Sequence, residues 1–253
     1  MVISKCYCIN LYERNDRLQK AKEVFDKYNL PVEFYRVHKD NENGKRGCSI
    51  SHINVIKKAY TENLNNVLIF EDDIMCNLSL EEFNSKMNEV YNFIENYEYD
   101  IFYLGSHPNF FEKTVKKISN NIYKTHAFGG YAYILSKSGI NKYKDMVYFG
   151  APPDCFYENS ENAYAMYPSI FYPNESKSDI APPWYNFISY HILSGYTTNS
   201  FKLKEYYVTH INIPLTWPTK VLIILSFIAF IITKNLIFMI LPMLFLIYHL
   251  LKF

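Results

Sequence analysis

An α/β fold with a mostly parallel central sheet is predicted for this 253-residue chain by three observations. Short apolar runs alternate with amphipathic stretches as far as Gly150, the pattern of strands joined by helical crossovers. The run Val67-Leu68-Ile69-Phe70 passes without a polar residue into Glu71-Asp72-Asp73, as a strand covered on both faces would where it leaves the core. Carboxyl ends of strands are also where open α/β sheets bind ligands, so a dense negative charge there marks a site as well as a boundary.

The elements follow in order. Residues 5–11 read as a first strand, and Leu18, Ala21, Phe25 and Tyr28 then share one face of a helix. Pro31 ends that unit, residues 32–37 form a second strand, and residues 38–46 a polar loop with Asn and Gly. Gly47-Cys48-Ser49 turns into a helix with Ser49 as its cap and Ile53, Ile56 and Tyr60 on one face. After strand 67–70 and the acids, Leu80, Phe83, Met87, Val90, Tyr91 and Ile94 recur at three- and four-residue steps, the cleanest helical period in the chain. Strand 100–104 follows. Gly129-Gly130 precedes strand 131–135, and a turn over Ser136 to Gly139 opens a helix carrying Ile140, Tyr143 and Val147. Beyond Gly150 the period decays into proline-rich sequence.

Composition narrows the function classes. A net charge of +1 offers no global field for nucleic acid, so no nucleic-acid partner is expected. The five cysteines are scattered and lack paired metal-ligand spacing apart from the too-close Cys6 and Cys8, which predicts reduced thiols. Gly-x-Gly-x-x-Gly, a P-loop and Gly-x-Ser-x-Gly are all absent, which argues against a Rossmann dehydrogenase, a P-loop kinase and an α/β hydrolase.

Charges run throughout residues 1–17, which is unlike a secretory signal. The far end is different: residues 221–232 are apolar except Ser226, and residues 236–251 except Tyr248 and His249, with Thr233-Lys234-Asn235 between. Each half is shorter as a helix than the roughly 30 Å hydrocarbon core, and the whole stretch, about 46 Å, is longer. A tight hairpin turning at Lys234-Asn235 and a single tilted span kinked at Pro242 both fit; a buried helix pair is the alternative. Lys202, Lys204 and Lys220 then place the preceding domain on the cytosolic face. The expected division is a domain over residues 1–182, a Tyr- and Pro-rich connector over 183–220 and a membrane segment over 221–251.

The acids carry the chemistry. As a solvated loop before the next helix they need no ligand. As a metal site they suit Mg²⁺ or Mn²⁺, which binds through one or two carboxylates plus substrate phosphates, and so point to a nucleoside-diphosphate substrate.

Motifs in a particular order extend this reading. Ile9-Asn10-Leu11 with Arg14 and Arg17, then Gly47-Cys48-Ser49-Ile50-Ser51-His52, Glu71-Asp72-Asp73, Gly130-Tyr131-Ala132-Tyr133-Ile134-Leu135-Ser136, Pro153-Asp154 and Ser178-Asp179-Ile180 resemble glycosyltransferase family 25, which includes lipooligosaccharide and procollagen galactosyltransferases. The resemblance covers about residues 1–180. It implies a GT-A-like fold, a UDP-sugar donor, a glycan, lipid-linked or protein acceptor, and inversion at the anomeric carbon. Asp73, with Asp72, would hold Mn²⁺ or Mg²⁺; Glu71 would orient the turn or meet the sugar; Asn10, Arg14 and Arg17 would lie along the donor or simply open a surface helix; Ser51 and His52 would lie beside the donor, His52 alternatively as a structural partner. Asp154 is the candidate base or, alternatively, a helix cap, and Asp179 the second candidate base. His126 lines the cleft or is hydrogen-bonded structure. One departure stands out: the family's Gly-Glu-x-Gly-Cys is here Gly44-Lys45-Arg46-Gly47-Cys48, and the two cations at that turn could meet a diphosphate or an anionic lipid.

Overall fold

The computed structural model describes residues 2–108, 116–157, 160–173, 217–235 and 237–240. The first strand, β1 (Cys6–Leu11), is followed by α1 (Asn15–Lys27), β2 (Val32–Val37), α2 (Gly44–Thr61), β3 (Asn66–Glu71) and the short β4 (Ile74–Met75). Then come α3 (Leu80–Asn96), β5 (Ile101–Pro108), β6 (Lys116–Lys117), β7 (Ile122–Lys124), β8 (Ala127–Ser136), α4 (Lys137–Tyr143), a 3-10 turn at Pro153–Tyr157, β9 (Ala163–Met166) and β10 (Tyr172–Pro173).

Eight strands form one sheet in the order β2-β1-β3-β8-β5-β9-β7-β6. Strands β1, β2, β3, β5, β6 and β9 run one way, and β7 and β8 run against them. The predicted mostly parallel sheet is therefore present, with one correction at its centre. Strand β8, expected as residues 131–135 of a parallel sheet, is twice as long and lies antiparallel between β3 and β5.

Each face of the sheet is buried by its own helices. Leu68 and Phe70 of β3 pack with Ala21 and Phe25 of α1 and with Phe83, Met87, Val90 and Phe93 of α3. Val67 and Ile69, pointing the other way, pack with Ile53, Val55, Ile56 and Ala59 of α2 and Ile140 and Tyr143 of α4. The unbroken apolar run of β3 is thus explained by burial on both sides.

Local chemistry sets the helix boundaries. Ser79 and Glu82 form a reciprocal capping box at α3, which leaves Leu80 in the first turn exposed although the period had placed it on the buried face. Helix α2 begins at Gly44, earlier than predicted, because the Asn43 side chain accepts from Arg46 N. Ser49, expected to be the cap, is buried inside the helix and donates to Ala151 O at 3.0 Å. At α4 the predicted turn holds: Ser136 Oγ accepts from Gly139 N at 3.1 Å.

Gly139 matters because the backbone of β5's start crosses it. A Cβ there would stand 2.2 Å from Asp100 O, a backbone atom with no room to retreat. Gly139→Ala is expected to lower the unfolding free energy by about 1–3 kcal/mol, read as a reduced urea midpoint at unchanged slope.

Helix α5 (Trp217–Thr233) belongs to a second compact unit and is described by itself. It ends at Thr233; Lys234 adopts a left-handed backbone, φ 55°, and the Asn235 side chain accepts from Ile237 N as a new helical turn starts. The break falls between the two apolar halves of the sequence. Ile224, Leu225, Phe227, Ile228, Ile231 and Ile232 are exposed on α5. No helix among the described residues is long and apolar enough to cross a membrane; residues 236 and 241–251 of the predicted membrane segment, and the predicted connector up to residue 216, lie outside the described residues.

Candidate functional site

Parallel pairing of β1 with β3 sets Ile9 beside Glu71 and ends both strands at the same edge. Asn10, Asp72 and Asp73 thus emerge together. Helix α1 contributes Arg17, which lies four residues before Ala21 on the buried stripe of that helix. Helix α2 presents Cys48, Ser51 and His52 from the other face. Arg17, Cys48, Ser51, His52, Asp72 and Asp73, with Ile9, Leu11, Glu71 and the rim 37–40, line one cleft, and Asn10 stands behind Asp72 outside the lining. Its volume, about 120 Å³, is room for several ligand atoms at the roughly 10–15 Å³ one water requires, so a whole sugar nucleotide would extend over the rim.

The acids are held from beneath. Arg17 Nη1 lies 3.0 Å from Asp72 Oδ1 and 3.2 Å from Asp73 Oδ2, and Asn10 Nδ2 donates to Asp72 Oδ2 at 2.5 Å and to Arg14 O at 3.2 Å. Both oxygens of Asp72, which is 6% exposed, are therefore engaged. Asp73 Oδ1 is buried with no hydrogen-bond partner among the described residues, and so is Asn10 Oδ1. Asp72 is an internal brace; Asp73 retains an open acceptor.

Electrostatics follow from that arrangement. Burial raises the Asp73 carboxyl to about 7 against the pull of Arg17, and the neighbouring charges of Glu71 and Asp72 add to the rise. Asp72 is raised as well, chiefly by burial, with Arg17 and Asn10 opposing. Burial likewise drives the Cys48 thiol well above its ordinary value, helped by Glu71, Asp73 and Asp154. Two carboxylates on one guanidinium, Asp72 buried and Asp73 largely so, with Glu71 beside them, form a site that a cation would relieve. The solvated-loop reading of the acids does not describe Asp72 or Asp73.

His52 is buried, with Nδ1 2.7 Å from Tyr133 Oη, and Tyr157 donates to that same oxygen at 2.9 Å. Its Nε2 lies 3.5 Å from Glu71 Oε1. The ring is fixed by structure on one side and faces the cleft on the other. Ser51 donates to Gly47 O at 2.7 Å, as a helical serine does, and also lines the cleft.

Other predicted residues lie elsewhere. Arg14 makes a two-pronged contact with Asp16, both at 2.9 Å, holding that carboxyl down at about 2, and is not among the residues lining the cleft. Asp154 sits in the first turn of the 3-10 segment, where its charge bears on Cys48 and Tyr157, and it too is outside the lining. Asp179 lies outside the described residues. His126 Nε2 is 2.8 Å from Ser160 O, its hydrogen-bonded structural alternative.

The altered turn is also resolved in part. Arg46 is spent on Asp40, at 2.6 and 2.9 Å, and on Glu42 at 3.0 Å, so it braces the rim of the cleft. Lys45 is exposed and is not part of the lining.

Sequence reasoning missed Cys48 and Tyr133 as site residues. The available signal was the four-residue step from Cys48 to His52, which stacks both on one helical face.

With this geometry in place, comparison with known proteins adds the following. Residues 37–156 match the model of glycosyltransferase family 25 (LPS biosynthesis protein). Among solved structures, A197 from STIV is 11% identical with a TM-score of 0.41, over 66% of this chain and 83% of that one. Mannose-1-phosphate geranyltransferase from Thermus thermophilus is 10% identical, TM-score 0.40, over 66% and 74%. Galactosyltransferase LgtC, in complex with donor and acceptor sugar analogs, is 10% identical, TM-score 0.34, over 64% and 72%.

Proposed function

We propose, from a chain that is a glycosyltransferase with the family 25 pattern over residues 37–156, that it transfers a hexose from a UDP-sugar to a glycan, lipid-linked or protein acceptor with inversion, and that the transfer depends on a divalent cation. The observation that carries this is Asp73: a carboxylate at a strand end that lines the cleft and has one buried oxygen with no hydrogen-bond partner among the described residues.

Asp73 would hold Mn²⁺ or Mg²⁺, and the unpartnered Asn10 Oδ1 is a second oxygen at the same strand edge. Bound there, the cation supplies charge neutralisation for the departing diphosphate. Arg17 keeps Asp72 and Asp73 in fixed orientation, so little reorganisation accompanies the reaction. Glu71 and Ser51, at the cleft wall, offer an acceptor and a hydroxyl to the sugar. In the transfer, an acceptor hydroxyl loses its proton to a carboxylate, its oxygen bonds to the anomeric carbon, and the carbon–oxygen bond to the diphosphate breaks on the opposite side. Asp154 is assigned that carboxylate, with Asp179 as the alternative.

The apolar C-terminal segment, residues 221–251, is read as a membrane attachment that turns at Lys234-Asn235, with the transferase on the cytosolic face. Exposed isoleucines and phenylalanine on α5 support it.

The test is equilibrium binding of nucleotide sugars to the full chain with and without Mn²⁺, together with release of nucleoside diphosphate. Mn²⁺-dependent binding of at least one UDP-sugar is expected; no binding and no release across the panel would remove the reading. Asp154→Asn is expected to leave donor binding unchanged and to cut transfer by about 100-fold or more. Full transfer in that variant would pass the role of base to Asp179.

A further inference from the structure

We infer that Cys48, His52 and Glu71 form a second cation site in the same cleft, selective for a thiophilic divalent ion such as Zn²⁺ and distinct in chemistry from the all-oxygen site at Asp73. The site stands on geometry alone; only its expected competition with the donor rests on the proposed function. One ligand atom from each of the three residues lies within 4.8 Å of the others. Ligands on a tetrahedral Zn²⁺, with bonds of about 2.0–2.3 Å, sit roughly 3.3–3.8 Å apart, so side-chain adjustments of about 1 Å complete the contact.

Two ligands come from one rigid element. Cys48 and His52 are four residues apart on α2 and project from the same face, while Glu71 is delivered by the end of β3. His52 is 1% exposed, and its Nε2 has no hydrogen-bond partner among the described residues, Glu71 Oε1 being 3.5 Å away. A buried imidazole nitrogen left in that state needs a reason, and a metal supplies one. Its other nitrogen is already fixed by Tyr133 at 2.7 Å, the arrangement that sets tautomer and ring orientation in histidine ligands. Sulfur, nitrogen and oxygen together favour Zn²⁺ or Co²⁺ over Mg²⁺.

Binding would transfer the Cys48 thiol proton to solvent and leave a fourth position open to the cleft. A cation there would neutralise Glu71 in the cleft that Asp73 also lines, where the proposed function puts the donor diphosphate. Zn²⁺ is thereby expected to compete with the donor.

The probe is Co²⁺ alone, titrated into the full chain. One equivalent is expected to produce a thiolate-to-cobalt charge-transfer band in the near ultraviolet, abolished by an equivalent of Zn²⁺. Cys48→Ser should lose the band, while Cys155→Ser keeps it. Glu71→Gln should retain the band but weaken Co²⁺ affinity at least about tenfold, the loss that even an outer-shell partner costs. Absence of the band, or a band that survives Cys48→Ser, overturns the site. If circular dichroism shows Cys48→Ser unfolded, Glu71→Gln decides alone: undiminished affinity overturns it.

Discussion

Replacing Asp73 by Asn is expected to abolish Mn²⁺-dependent donor binding, lower transfer by about 100-fold or more, and at the same time raise the protein's stability at neutral pH. The first two effects follow from the loss of the carboxylate charge at a residue whose buried Oδ1 has no hydrogen-bond partner among the described residues. The third follows from burial: a carboxyl lifted from 3.8 to about 7 binds a proton in the folded state that the unfolded chain has released. Between about pH 4 and 7 the folded state therefore holds more protons than the unfolded one, and stability falls as pH rises through that window. Asn carries no charge to bury, so the variant escapes that fall, by at least the roughly 1.4 kcal/mol that one pKa unit represents. Thermal unfolding at pH 5 and pH 8 checks this. Wild type should lose stability between them and Asp73→Asn should lose less. The same titration predicts that Mn²⁺ affinity rises as pH passes 7, because the cation must displace a proton. Unchanged Mn²⁺-dependent donor binding in Asp73→Asn would take that residue out of the site.

Replacing Arg17 by Met is expected to destabilise the fold by about 3–5 kcal/mol, the cost of leaving buried carboxylates without their counterion. Arg17 bridges Asp72 and Asp73 from within the buried stripe of α1, so methionine fills the space but removes the charge. Without the guanidinium, both carboxyls rise further, and stability should recover as pH is lowered toward 5 and they take up protons. Adding Asp72→Asn to Arg17→Met should restore a large part of the loss, which a double-mutant cycle in urea measures directly. An Arg17→Met protein as stable as wild type would show that Arg17 is not the counterion.

The placement of Arg17 also marks where periodicity stops being informative. Leu18, Ala21, Phe25 and Tyr28 outlined α1 correctly as a helix, but the buried stripe is Arg17, Ala21 and Phe25, with Leu18 only half-buried. A phosphate-binding arginine and a buried counterion have the same sequence signature. What separates them is a partner 55 positions away. Cys48 was passed over for a related reason: its spacing to His52 on α2 is local, but Glu71 is brought to them by a strand, β3.

The sequence by itself determined the alternation of strands and helices, the doubly buried β3, the helical face of α3 and the acid cluster at a strand end, since each depends on periodicity, composition or capping within a few residues. Only the tertiary structure decided that β8 runs antiparallel between β3 and β5, that Asp72 is braced by Arg17 and Asn10 while Asp73 is left open, and that Cys48, His52 and Glu71 converge. Strand order and ion pairing join residues far apart in the chain, and whether a buried charge is neutralised, braced or left for a ligand depends on which of those distant groups folding brings against it.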